Sequence, residues 1–64
     1  FLVEYTPVSL RIIREGLGLN RYELAALSGM SASYLEDLER GERVRPSLEI
    51  IAKLGESLNV IFFT

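Results

Sequence analysis

The chain has no cysteine and no histidine. The first absence excludes a disulfide framework and a thiolate metal site. The second removes the usual general base and the commonest metal ligand. No apolar run approaches the roughly 20 residues that a bilayer-crossing helix requires. Positive charge is also scarce, since seven Lys and Arg face nine Asp and Glu for a net charge of −2 and a pI near 5.0. Such a chain has no blanket attraction to polyanions, so nucleic-acid binding must come from a local basic patch. What is present is 48% apolar and 25% charged residues in 64 positions. That composition describes one globular domain near the lower size limit for independent folding. "FLVEYTPV" lacks a basic leader and a sufficient apolar core, so no signal peptide is expected. A start at Phe1 rather than Met points to a piece of a longer chain, and the missing cysteines fit the cytoplasm.

Local signals divide the chain into six segments. "FLVEY" (1–5) is β-branched and aromatic and predicts a strand. Thr6 is a suitable N-cap for a helix opening at Pro7, where a missing N–H costs nothing. Val8, Ile12, Ile13 and Leu17 follow helical spacing and Gly18 supplies a left-handed stop, with Arg11, Arg14 and Glu15 on the outer side. Asn20 with Glu23 forms a variant capping box for a second helix with Leu24 and Leu27 as its core face. Ser31 caps a third helix, burying Leu35 and Leu38 and ending at Gly41. Pro46 keeps the connector "ERVRPS" extended before Ser47 caps a fourth helix through Leu48, Ile51, Ala52, Leu54 and Leu58. Asn59 is a plausible left-handed stop, and the tail at 60–64, "VIFFT", returns to strand chemistry. Residues 7–58 are thus a helical bundle between two short strands.

The stretch "NRYELAALSGMSASYLEDLERG" carries the sharpest signal. About three residues around Gly29 link its two helices, which forces a steep crossing. A side chain larger than methyl at Ala25 would push the helices apart. Gly29 can take the positive φ that a tight turn needs, and Met30 fills the corner. The Ala-x-x-x-Gly-Met register followed by Leu35 and Leu38 is therefore a steric specification for a helix-turn-helix.

On these residues the chain resembles the phage-repressor/Cro-like (XRE) helix-turn-helix family of DNA-binding regulators. The matching segments are "LRIIREGLGLNRYELAALSGMSASYLEDLERGER" and "RPSLEIIAKLGESLNV", within residues 8 to 60. The resemblance implies a mainly α, four-helix, lambda-repressor-like bundle whose third helix enters the major groove, usually as a two-fold dimer. It places Arg21 at a phosphate, with arginine where the family often has glutamine. Ser31, Ala32 and Ser33 would face base edges with Tyr34 beside them. Arg40, Arg43 and Arg45 would meet phosphates after the recognition helix, and Arg11 or Arg14 would add another from the first.

Glu36 and Asp37 stand where many relatives are polar or basic. Either they accept hydrogen bonds from cytosine amino groups, or they are solvated and pair with Arg40 at helical spacing, which is the expectation here. Val60, Ile61, Phe62 and Phe63 are expected to form a dimer interface by strand pairing between protomers, an arrangement similar to HipB-type antitoxins. Pairing within one chain is the alternative. Phe62 and Phe63 should lie on opposite faces of their strand. The expected function is a sequence-specific transcriptional regulator that binds double-stranded DNA at a palindromic operator as a homodimer. The competing class is an antitoxin or protein-interaction module whose main partner is a protein such as a toxin. Catalysis is not expected, because the adjacent Glu36 and Asp37 diverge by about 100° on a helix. No cofactor, metal or membrane is expected either.

Overall fold

A computed structural model describes residues 1–42 and 45–64. The elements run β1 (Leu2–Glu4), α1 (Pro7–Gly16), α2 (Arg21–Ser28), α3 (Ala32–Arg40), α4 (Leu48–Leu58) and β2 (Ile61–Phe63). The helical span of 7–58 agrees with the sequence reading, and each strand is shorter than expected.

Local chemistry explains where the helices start and stop. Thr6 and Ser9 bond reciprocally across the first turn of α1, as Asn20 and Glu23 do across that of α2. Ser31 Oγ accepts from Tyr34 N, and Ser47 accepts from Ile50 N. These caps satisfy amides that have no partner inside the helix. Gly29 ends α2 at φ 71° and Asn59 ends α4 at φ 60°, both left-handed. Met30 N then donates to Ala25 O at 3.0 Å and closes the turn. Ala25 is buried, and Met30 packs against the core beside it. The steric argument for these two positions is borne out.

The core is Leu10, Leu24, Ala25, Leu35, Leu38, Ile51, Leu54 and Leu58. This differs from expectation on three helices. In α1 the inward stripe is Leu10, Ile13 and Arg14, whereas Val8, Ile12 and Leu17 are more than half exposed. The helix carries two apolar stripes, and the one packing on α3 is the one that brings Arg14 to a buried carboxylate. Leu27 in α2 is 61% exposed, because the close approach at Ala25 tilts α2 onto its Leu24–Ala25–Ser28 side. In α4, Leu48 and Ala52 are exposed while Ile51, Leu54 and Leu58 are buried. Gly55 is buried with them. A Cβ there would lie 2.6 Å from Val60 O, so glycine is what allows the chain to fold back across α4.

The terminal strands pair with each other in parallel, in the register Leu2↔Ile61, Val3↔Phe62 and Glu4↔Phe63. The two termini thus form a clasp within one chain, the alternative that the sequence left open. Side chains alternate across the sheet. Phe62 and Val60 pack toward the core, and Phe62 meets Tyr5 edge-to-face at 5.5 Å. Val60 and Phe62 are thus the inward-turned pair of the four tail residues expected at an interface. Ile61 and Phe63 do face out, together with Leu2, at 65%, 46% and 67% exposure.

Candidate nucleic-acid interface

The first turns of α2 and α3 converge on an open notch of about 270 Å3, lined by Arg21, Tyr22, Ala32, Ser33 and Glu36. Four of these are residues that the sequence placed at a DNA surface. Tyr22 was not among them, and it is 77% exposed. Its position next to Arg21 at the start of α2 was the available signal.

Ser31 and Ser33 are exposed at the N-terminal end of α3, with Ser31 Oγ committed to capping. Ala32 and Tyr34 are half-buried and pack against the core, so Tyr34 offers only part of its ring. Glu36 lies 3.5 Å from Arg40 at i,i+4 spacing, which supports the paired alternative for this carboxylate. Asp37 is half-buried on the same helix. Arg40, the last residue of α3, and Arg45 beyond it are exposed. Arg43 lies outside the described residues. Arg21, at the start of α2, is partly exposed, with 39% of its side chain open to solvent.

Arg14 is not on this surface. Its side chain is 7% exposed and clamps the carboxylate of Glu39, with Nε 2.6 Å from Oε2 and Nη2 2.9 Å from Oε1. Its Nη1 donates to Leu19 O at 2.7 Å. The hydrogen bonds to Glu39 hold this guanidinium charged above its usual range against the opposing effect of burial. A phosphate contact by Arg14 is therefore ruled out by its commitments. Arg21 joins the same carboxylate, Nε to Oε1 at 3.2 Å, with its side chain 39% exposed. Sequence reading missed Glu39, although the pattern held a clue. Arg14 and Glu39 both occupy the i+4 core position, after Leu10 and Leu35, and two opposite charges in core positions imply each other.

Tyr5 lies beneath this cluster, and its hydroxyl is buried without a hydrogen-bond partner among the described residues. Burial, followed by proximity to Tyr34 and Glu39, pushes its pKa up to about 12. No helix among the described residues is long and apolar enough to cross a membrane.

The comparisons agree with this geometry. The family model described as "Helix-turn-helix" matches residues 10–60. The HTH-type transcriptional regulator SlrR of Bacillus subtilis (strain 168) is 37% identical over 51 residues, which are 80% of this chain and 34% of SlrR. The chain thus spans about a third of that relative. Among solved structures, the restriction-modification controller protein C.AhdI from Aeromonas hydrophila is 41% identical at a TM-score of 0.80, over 84% of this chain and 80% of that one. The biofilm master regulator SinR in complex with DNA is 30% identical at a TM-score of 0.79, over 84% and 86%. With its turn built on Ala25 and Gly29 and the family model matched along four fifths of its length, the chain belongs to the helix-turn-helix family.

Proposed function

We propose that this chain is the DNA-binding domain of a transcriptional repressor that reads a palindromic operator as a homodimer. The observation that carries the reading is the notch between α2 and α3. It joins a capped helix N-terminus, small side chains at Ala32 and Ser33, and the partly exposed cation of Arg21 on one open face. Such a face admits a groove edge while cations on either side meet phosphates. SinR, similar over the same region, is seen in complex with DNA. With Ala32 between two serines, direct readout by α3 is thin, and operator shape and deformability contribute to specificity. Arg21, Arg40, Arg43 and Arg45 contact phosphates, and Glu36 stays paired with Arg40. The working compartment is the cytoplasm.

The outward face of the clasp supplies the dimer contact, in place of exchanged strands. Leu2, Ile61 and Phe63 share that face, and a second copy covers them. Two α3 helices must lie about 34 Å apart to enter adjacent major grooves together. The same apolar face favours a second reading, a module whose main partner is a different protein, such as the toxin of an antitoxin pair. SinR is also seen in a complex with the SinI protein.

Salt dependence separates the two. Affinity for duplex DNA should fall with a log–log slope of roughly −4 to −8 for a dimer making several phosphate contacts per half-site. A slope near zero, or no measurable binding at low salt, would leave only the protein-partner reading.

A further inference from the structure

Among the described arginines, Arg21 is the partly exposed one tied to a buried group. Its Nε donates to Glu39 Oε1, and that oxygen also accepts from Arg14 Nη2. We propose that Glu39 is a positioning residue for phosphate binding. It grips Arg21 along the Nε edge of the guanidinium and leaves the two terminal amino groups as a preset fork for a DNA phosphate. This rests on the DNA-binding reading above.

Three observations carry the argument. The first is that the anchor cannot follow its ligand. The Glu39 side chain is 2% exposed and is clamped by Arg14 on both oxygens, so Arg21 must come to it. The second is how the charges are shared. Arg14 faces two carboxylates, Glu39 and, at 3.8 Å, Glu15, and it is sealed by its bonds to Glu39 and Leu19 O. Arg21 is therefore the cation on Glu39 that keeps access to solvent. The third is the shape of the group. A guanidinium is planar, with five N–H donors, so it can serve a carboxylate through Nε and a phosphate through its terminal edge at once. Arg21 is also the first residue of α2, where the helix amides favour an anion. Holding a flexible cation in place before DNA arrives lowers the ordering cost of the contact.

Lysine cannot do this. Its ammonium is a point charge without a second edge, and a buried carboxylate at this distance competes with phosphate for it.

The test compares duplex-DNA affinity and salt slope, by fluorescence anisotropy, for the parent chain, Arg21→Lys and Arg21→Ala. Glu39→Gln is measured in the parent and in the Arg21→Ala background. Arg21→Lys should weaken binding nearly as much as Arg21→Ala, on the order of tenfold per dimer, although its charge is kept. Glu39→Gln should weaken binding in the parent and have almost no further effect once Arg21 is gone. Thermal melts report whether Glu39→Gln stays folded, and if it does not, Arg21→Lys decides alone, because it leaves the Arg14–Glu39 pair intact. Parent-like affinity and slope for Arg21→Lys, or equal losses from Glu39→Gln in both backgrounds, would overturn the proposal. A parent chain with no salt-dependent binding overturns the DNA-binding reading itself, and this inference with it.

Discussion

Replacing Gly55 by alanine sets two opposed effects against each other. On helix propensity alone, Gly→Ala in the interior of a helix is stabilising by up to about 1 kcal/mol. At this site the new Cβ would lie 2.6 Å from the carbonyl oxygen of Val60 and 3.4 Å from Phe62 Cδ2. A carbon–oxygen contact normally settles near 3.3 Å or more, so roughly 0.7 Å must be recovered. No rotamer change relieves a clash between one backbone and another. Val60 N is also bonded to Gly55 O at 2.9 Å, and Ile61 N to Phe1 O at 2.8 Å, so the strain passes into the strand clasp and the Tyr5–Phe62 contact. Overpacking costs about 1–3 kcal/mol, and a clash with backbone belongs at the upper end of that range. Less the propensity gain, about 2 kcal/mol of destabilisation remains. For a domain of this size that lowers Tm by roughly 8–16 °C. Gly16 is the control, since a Cβ there meets nothing within 4 Å and its φ is not positive. Gly16→Ala should leave stability unchanged or raise it by up to about 1 kcal/mol. Circular-dichroism melts of both variants test the argument. A Gly55→Ala protein melting at or above the parent would refute it.

Three further outcomes are expected. Arg14→Met should destabilise by less than the ~3–5 kcal/mol of a wholly unpaired buried charge, because Arg21 stays on the Glu39 carboxylate, and Arg14→Met combined with Glu39→Met should recover most of the loss; urea titrations of the single and double variants check this. Tyr5→Phe removes a buried hydroxyl without a partner among the described residues, so it should be neutral or stabilising by up to about 1–2 kcal/mol. Because the folded-state pKa of Tyr5 is raised from 10.0 to about 12, the fold favours the protonated phenol. The parent should then lose stability as pH rises from about 10 to about 12, and Tyr5→Phe should lose less, as alkaline melts would show. Phe63→Lys on the outward sheet face should shift a dimer to monomer in sedimentation with little change in Tm, whereas Phe62→Ala should lower Tm through the core; equal effects from the two would contradict the observed alternation.

The helix boundaries and the turn at Gly29 were determined by sequence alone because each is a local contest. Thr6, Asn20, Ser31 and Ser47 sit within three residues of the amides they cap. Gly29 and Asn59 are the residue types that tolerate the left-handed φ each stop requires. Much of the candidate notch was readable for the same reason, since Arg21, Ala32, Ser33 and Glu36 are carried together by the helix-turn-helix register. Tertiary structure decided the rest. α1 has two apolar stripes of similar strength, and local periodicity cannot choose between them. The choice fell to a pair 25 positions apart, Arg14 with Glu39, because a buried charge is tolerated only where its counter-charge waits. Gly55, which looks like a weakness in α4 when read alone, is required only once Val60 returns across it. The partner of β2 was likewise undecided, because the paired residues Leu2 and Ile61 stand 59 positions apart in the chain, and strand pairing depends on where the intervening fold delivers the two ends.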